Sequence, residues 1–335
     1  RIVGRRPDDG GADVPRCEPR PAKALVVEDT AGALPAWFSD AQRDAGLGLV
    51  VRTRPGALGT DVALKLRVAN GTHTAAAHAL ALSGAADTGA LRGDPRGGTF
   101  LSYLDALVAQ QIVPACVLDG IAGLEAEATY ADWRGRLANP HFGLSTFFIA
   151  QNGPAKGGIR IGPTARALLA HGATVTVATA FALAALLRFV TPAASGSEGG
   201  GVYRGWLDRH NREGGGAPDG DGAVVYADGL RHCVPGGWYE FRCSCSIRSG
   251  GGGEENLAEA LLGGGAGGAS AAVRAYLTSP AGGDLATVET CGGFDGLVAA
   301  VAAMYLRMVE EGVPSAEILE DMSKRKGDFS CLGFG

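Results

Sequence analysis

The chain has 335 residues, of which 46% are hydrophobic and 19% charged, and its formal net charge is −5. This length and apolar content are enough for one large folded domain or two modest ones with a sizeable core. The weakly acidic balance, without a basic stripe interleaved with aromatic residues, argues against nucleic acid as a partner. Seven scattered cysteines, an odd number, favour reduced thiols and a cytoplasmic location.

Neither a membrane segment nor a metal site is predicted. Residues 1–20 are charged and rich in proline and glycine, without the apolar core of a signal peptide. The most apolar run, Ala173–Leu187, is too short to span a bilayer and predicts a buried helix. Cys233, Cys243 and Cys245 lie close together in the sequence but lack Cys-x-x-Cys spacing and a second ligand pair.

The N-terminal part predicts an irregular segment followed by short strands. Residues 1–22 carry no regular pattern, whereas the apolar runs Ala24–Glu28 and Leu47–Thr53 are typical of buried strands. Glu28 stands at a strand end, where a capping or surface role is more common than a site role.

The most informative stretch lies within Val62–Leu82, which predicts a helix with Gly71 as a tolerated weak point. Side chains on a helix advance by about 100° per residue, so Lys65, Asn70 and His73 share one side. An amine, an amide and an imidazole on one wall can move a proton and hold an oxygen whose charge changes. A solvated helix face has the same spacing, so spacing alone leaves both interpretations open.

Two further helices follow. Thr99–Val113 repeats apolar residues at helical spacing, and Pro114 is expected to end the helix. Ile121–Leu137 continues helically and stops before Asn139-Pro140.

A second candidate site lies in Leu144–Ala170. Lys156 and Arg160 are four residues apart, so a helix would place both cations on one face, where they could hold a carboxylate. An exposed basic pair is the alternative. Gly153-Pro154 and Gly157-Gly158 are poor helix formers, and we expect them to leave this face less than rigid.

Beyond Pro192 the chain changes character. Glycine-rich runs at about 195–222 and 249–269 predict low-complexity surface insertions, and none fits a phosphate-binding loop. Between them, Trp238–Phe241 is a strand or part of an insertion. The predicted later helices are Ala173–Val190, Leu257–Leu262, Ala271–Leu277 and Leu297–Val309. The sequence thus predicts a mainly α fold, with linker and strands in 1–60, a helical domain in 61–320 and a polar tail in 321–335.

The central stretch resembles the polyol-specific long-chain dehydrogenases, the group of mannitol dehydrogenase, tagaturonate reductase (altronate oxidoreductase) and fructuronate reductase. The shared pattern is Lys65-x-x-x-x-Asn70-Gly-x-His73-Thr-Ala, followed by an Ala/Leu helix and Gly84. The resemblance implies that Lys65 is the general base, Asn70 stabilises the substrate oxygen and His73 orients it. It also implies the multi-helical C-terminal substrate domain of the mannitol dehydrogenase type.

The segment Phe148–Arg160 resembles the uronate branch of that family, which reads Ile-Ala-Leu-Asn-Ser-x-Ser-Lys-Phe-x-x-Arg. This resemblance implies that Asn152, Lys156 and Arg160 bind the substrate, the two cations through its carboxylate. Mannitol-type members carry an arginine at the position of Phe148. The chain therefore looks closest to tagaturonate reductase, with mannitol or mannitol-phosphate dehydrogenase as the alternative.

The implied reaction is reversible hydride transfer between NAD(H) and a secondary alcohol of an open-chain sugar acid or polyol, and it needs no metal. For this, Lys65 must release its proton near neutral pH, which requires burial or a neighbouring cation.

No strand–Gly-x-Gly-x-x-Gly–helix pattern of a Rossmann domain is found in the 335 residues. We therefore expect NAD(H) to be bound mainly by a domain not present in this chain, such as a separate Rossmann-domain chain. A non-catalytic helical remnant or assembly module is the remaining alternative.

Overall fold

The computed structural model divides the chain into two compact units, residues 1–63 and 64–335. The boundary predicted from the sequence lies at residues 60 and 61. The structure describes residues 2–4, 14–16, 25–43, 48–83, 85, 87–93, 97–137, 139, 143–150, 152–191, 225–226, 229–234, 237–242, 245–248, 253–263, 265–309 and 315–326.

The first unit contains two small sheets. Strands β1 (Ile2–Gly4) and β2 (Val14–Arg16) pair antiparallel, so the segment predicted to be irregular holds a strand pair. Strands β3 (Leu25–Glu28) and β4 (Leu49–Arg52) pair in parallel, and both were predicted. A parallel pair needs a crossover connection, which contains helix α1 (Ala36–Arg43).

Glu28 has a capping role in this unit. Its Oε2 accepts a hydrogen bond of 2.9 Å from the backbone N–H of Leu58, in the first turn of helix α2 (Ala57–Leu64). A carboxylate at a helix N-terminus satisfies an otherwise unpaired N–H and favours the helix dipole. The same helix carries Asp61, which is buried and forms a two-point ion pair with Arg52 at 2.7 and 2.9 Å.

The second unit is multi-helical, and the predicted mainly α fold is confirmed. Its helical elements are the π-helical turn Lys65–Ala69, α3 (Asn70–Leu82), α4 (Ala90–Gly93), α5 (Gly97–Leu107), the π-helical turn Val108–Ile112, α6 (Val113–Leu118), α7 (Gly123–Leu137), α8 (Thr146–Ala150), α9 (Gly153–Arg160), α10 (Gly162–Ala170), α11 (Val177–Val190), α12 (Leu257–Gly263), α13 (Gly265–Thr278), α14 (Phe294–Val309) and α15 (Ser315–Lys326).

Short strands accompany the glycine-rich part of this unit. They are β5 (Val225–Tyr226), β6 (Gly229–Val234), β7 (Gly237–Arg242), β8 (Ser246–Arg248) and β9 (Glu254–Asn256). The first three form one antiparallel sheet, and the last two form a separate antiparallel pair. The insertion predicted at about 195–222 lies outside the described residues, as does Cys243.

Helix α11 is the centre of the core. Every residue from Val177 to Val190 is buried, and the helix packs against α3 and α14. Helix α3 is buried from Gly71 to Leu82. Both helices are rich in alanine, whose short side chain lets helix axes approach closely. The alternative that His73 lies on a solvent-exposed helix face is therefore wrong, because α3 is an interior helix.

The helical run that begins with α5 continues beyond Pro114, where the sequence predicted its end. The π-helical turn Val108–Ile112 follows α5, and Pro114 then lies in the first turn of α6. Pro114 therefore lies inside a longer helical run and does not end it. The turn also places the buried Gln111 so that its Oε1 accepts hydrogen bonds from the N–H of Thr176 (2.8 Å) and the hydroxyl of Thr179 (3.1 Å).

In the described part of the chain, one helix is long and apolar enough to cross a membrane, the composite Gly97–Leu118. This helix packs within the unit, against α4, α7, α10, α11 and α15. We therefore interpret it as a core helix, although composition alone would also allow a membrane span.

Two C-terminal predictions are corrected. The glycine-rich run before Ala269 is exposed, as expected of an insertion, but it is helical from Gly265 onward. The predicted polar tail from Asp321 is helical as far as Lys326, because α15 buries Ile318 and Leu319 in the unit. Asp321 also pairs with Arg307 of α14 at 3.1 Å.

Two glycines of helix α9, which the sequence suggested would leave this face less than rigid, lie in close contact with neighbouring elements. A Cβ on Gly157 would come 2.6 Å from the hydroxyl of Tyr276, and one on Gly158 would overlap the carbonyl oxygen of Ala281. These glycines permit backbone approach where any side chain would collide. They fix α9 against α13 and the short 3₁₀ turn Pro280–Gly282.

Replacing Gly158 with alanine should therefore separate two backbones and lower the free energy of unfolding by about 2 kcal/mol or more. The matched control is Gly135→Ala on α7, where a Cβ would meet no heavy atom within 4 Å. That control should raise stability by about 0.5–1 kcal/mol, because alanine favours the helix. Urea unfolding of both variants tests this, and equal stabilities would contradict the packing role.

Candidate functional site

The predicted catalytic wall contains a π-helical turn, which periodicity alone does not reveal. Lys65–Ala69 forms this turn, and the backbone N–H of Asn70 donates to the carbonyl of Lys65, five residues earlier. The wider turn brings residues five apart closer to one face than a regular helix does. Lys65 and Asn70 therefore align better than the 100° rule predicts. Such π-helical segments occur frequently at functional sites.

Lys65 and Asn70 differ in their surroundings. The side chain of Lys65 is exposed, whereas that of Asn70 is half-buried at the start of α3. Arg67, between them in the turn, is buried and pairs with Asp119 at 2.5 Å, away from the candidate site.

His73 is buried, with 9% of its surface exposed. Its ring packs edge-on against Trp133, with ring centroids 5.2 Å apart. Burial, together with the positive charges of Arg160 and Lys156, lowers the pKa of His73 to about 4. The imidazole is therefore neutral at physiological pH and can both donate and accept a hydrogen bond. Its Nε2 is buried and has no hydrogen-bond partner among the described residues.

Helix α9 brings the two predicted cations to this wall. The Nη1 of Arg160 donates a hydrogen bond of 2.8 Å to the hydroxyl of Thr74, directly after His73. Lys156 is half-buried, and its Nζ donates to the carbonyl of Ile149 at 2.7 Å. Burial and the charge of Arg160 lower the pKa of Lys156 to about 8, and burial also lowers the pKa of Arg160. Two half-buried cations side by side are an arrangement that a bound anion stabilises.

The approach of α9 to α3 depends on two glycines. A Cβ on Gly71 would come 3.1 Å from the carbonyl oxygen of Arg160, and one on Gly153 would come 3.0 Å from the Nε2 of His78. Gly71, which the sequence suggested to be a weak point, is where the end of α9 meets α3. The two contacts lie at opposite ends of α9, one of them at Arg160 itself, and Lys156 lies between them.

Asn152, the third predicted substrate-binding residue, immediately precedes α9. It is exposed and adopts a left-handed conformation with φ of 54°, which asparagine tolerates better than most residues. The structure thus brings Asn70, His73, Lys156 and Arg160 together around α3 and α9. Lys65, at the start of the π-helical turn before α3, and Asn152, directly before α9, are both exposed.

Thr74 and His78 also belong to the buried surroundings of the candidate site, and the sequence did not single them out. His78 is completely buried, its Nδ1 lies 2.7 Å from the carbonyl oxygen of Thr74, and its ring packs edge-on against Phe189. Burial lowers its pKa to about 4, although the carbonyls of Thr74 and Ala150 favour the charged form. The sequence did offer one signal for them: both follow His73 closely, within the same short buried helix.

The buried imidazoles predict acid sensitivity. The pKa of His78 is about 4 in the folded protein and about 6.5 when unfolded, so between these values the unfolded state binds more protons. Stability is therefore lost as the pH falls from 6.5 towards 4, by about 2 kcal/mol between pH 7 and 5 for this histidine. His78→Gln should reduce this loss in urea unfolding. An unchanged pH dependence in His78→Gln would disprove the assignment.

Comparison with known proteins adds a similarity of fold. No protein-family model and no curated protein matches the chain. Among solved structures, Pseudomonas fluorescens mannitol 2-dehydrogenase in a ternary complex with NAD and D-mannitol has a TM-score of 0.52 and 17% identity. The match covers 90% of this chain and 46% of that chain. A D-sorbitol dehydrogenase in substrate-free form has a TM-score of 0.47 and 17% identity, covering 87% and 45%.

The chain therefore spans less than half the length of these solved structures. At 17% identity, the similarity to mannitol 2-dehydrogenase shows a shared fold. That fold agrees with the multi-helical C-terminal domain of polyol dehydrogenases, as the sequence predicted.

Proposed function

We propose that this chain carries the substrate site of an NAD-dependent oxidoreductase for open-chain sugar acids of the tagaturonate and altronate type. One observation carries the proposal. Helix α9 sets Lys156 and Arg160 beside the buried, neutral His73 on α3, within the resemblance to the polyol dehydrogenases. A neutral imidazole suits a sugar hydroxyl, and a pair of cations suits a carboxylate at the other end of the same molecule.

The proton chemistry is assigned to the wall formed by the π-helical turn and α3. Lys65 takes the hydroxyl proton in oxidation and returns it in reduction. Asn70 donates a hydrogen bond to the oxygen as negative charge develops on it. His73 binds the reacting or the adjacent hydroxyl through its ring. Because Lys65 is exposed in this structure, its role requires that bound substrate and cofactor cover it.

The carboxylate of the substrate is assigned to α9. Arg160 has a buried Nε without a hydrogen-bond partner in the described part of the chain, a donor that an anion would satisfy. Lys156 adds a second positive charge, and its pKa of about 8 keeps it mostly protonated at neutral pH. Asn152, at the exposed start of α9, completes the proposed set of substrate-binding residues.

NAD(H) is the proposed cofactor, and it would supply or accept the hydride. The mannitol 2-dehydrogenase that shares the fold was solved with NAD, which supports this choice. We expect the dinucleotide to be held mainly by residues outside these 335, because the sequence lacks a dinucleotide-binding pattern. A separate Rossmann-domain chain is one form this arrangement could take.

Two other functions are supported by particular observations. The fold shared with a mannitol 2-dehydrogenase favours a mannitol or mannitol-phosphate dehydrogenase, in which the α9 cations would face a hydroxyl or a phosphate. Turnover of tagaturonate compared with fructose separates these alternatives. The exposure of Lys65 favours a non-catalytic helical remnant or assembly module, which would show no turnover with any of these sugars.

Replacing Lys65 with alanine should lower NADH-dependent reduction of tagaturonate by about 10²-fold or more, because the group that transfers the proton is removed. The fold should be unaffected, since the side chain is exposed. The control is Arg166→Ala, an equally exposed cation on α10. Activity of Lys65→Ala within a few-fold of wild type would reject the assignment. A wild type that stays inactive when both NADH and the domain that binds it are supplied would favour the non-catalytic alternative.

A further inference from the structure

Thr74 connects the catalytic wall to the cations through its side chain. It is completely buried on α3, and its hydroxyl accepts the 2.8 Å hydrogen bond from the Nη1 of Arg160, 86 residues further along the chain. A hydrogen bond between a hydroxyl and a charged guanidinium is stronger than one between neutral groups. Thr74 therefore provides Arg160 with a fixed partner before any ligand arrives.

The orientation of this hydroxyl differs from that of a typical threonine in a helix. Thr72, two residues earlier, donates its hydroxyl to the carbonyl of Val68 in its own helix at 2.7 Å. The hydroxyl of Thr74 instead faces a second helix. The backbone carbonyl of Thr74 meets the Nδ1 of the buried His78, so both sides of the residue are engaged in buried contacts.

We propose that Thr74 is a positioning residue that holds the guanidinium of Arg160 in the orientation needed to receive an anionic group. The inference rests on the proposed function for the identity of that anion, but the contact itself does not. With Nη1 held by Thr74, the buried Nε and the other N–H groups of Arg160 remain to meet a carboxylate. Lys156 is held independently by the carbonyl of Ile149, so the two cations are fixed from different elements.

Holding an arginine before binding has an energetic consequence. An unrestrained arginine side chain has many rotamers, and ordering it opposes binding. The contact with Thr74 removes part of that ordering from the binding step. Loss of the hydroxyl should therefore weaken anion binding, while neutral sugars should bind as before.

The test compares Thr74→Val, which keeps the shape and removes the hydroxyl, with Thr74→Ser, which keeps the hydroxyl. The matched control is Thr164→Val on α10, an equally buried threonine whose hydroxyl has no hydrogen-bond partner within the described residues. The first readout is the rate at which phenylglyoxal modifies Arg160, measured by peptide mass spectrometry with the exposed Arg166 as internal reference. The second is calorimetric titration with tagaturonate and with fructose.

We expect Thr74→Val to accelerate the modification of Arg160 severalfold and to weaken tagaturonate binding on the order of tenfold, with fructose binding unchanged. Thr74→Ser and Thr164→Val should stay within about twofold of wild type. An unchanged rate at Arg160 in Thr74→Val would overturn the proposal. If the wild type binds no tagaturonate, the proposed substrate fails, and the rate at Arg160 alone decides whether Thr74 positions it.

Discussion

The close approach of α9 to its neighbours is the constraint on which the candidate site depends. On one side α9 meets α3 through Gly71 and Gly153, and on the other it meets α13 and the turn at Pro280 through Gly157 and Gly158. A Cβ would be tight at Gly71 and Gly153, and it would collide with the neighbouring element at Gly157 and Gly158. Helix α9, which carries Lys156 and Arg160, therefore packs closely between these elements. The packing positions the two cations although the composition of α9 is poor for a helix.

The packing of α9 determines the electrostatics of the site. Burial, with the two cations beside it, keeps the nearby His73 neutral, and burial together with the charge of Arg160 lowers the pKa of Lys156 to about 8. Positive charge that is half removed from water, with no carboxylate partner among the described residues, is unfavourable until an anion binds. The same arrangement would let the site favour a sugar acid over a neutral polyol of the same length.

The sequence predicted the parts of the fold that depend on local pattern, and it missed those that depend on distant contacts. Helical periodicity and the pattern from Lys65 to His73 were sufficient for a mainly α fold and for the helix that carries Asn70 and His73, whereas the helix that carries Lys156 and Arg160 was only a possibility. The π-helical turn was not predicted, because α3 is buried nearly all round and its hydrophobic pattern has too little contrast to show the phase shift of one widened turn. The partner of Thr74 lies 86 residues away, and the packing role of Gly158 depends on Ala281, so neither has a local signal.

Discrimination between an acidic and a neutral sugar is the most direct test of this account. Calorimetric titration of the wild-type protein with tagaturonate and with fructose should show at least about tenfold tighter binding of tagaturonate at pH 7. The difference should shrink as the pH rises through about 8, where Lys156 loses its proton. Equal affinities for the two sugars at every pH would contradict the account and favour a mannitol-type site.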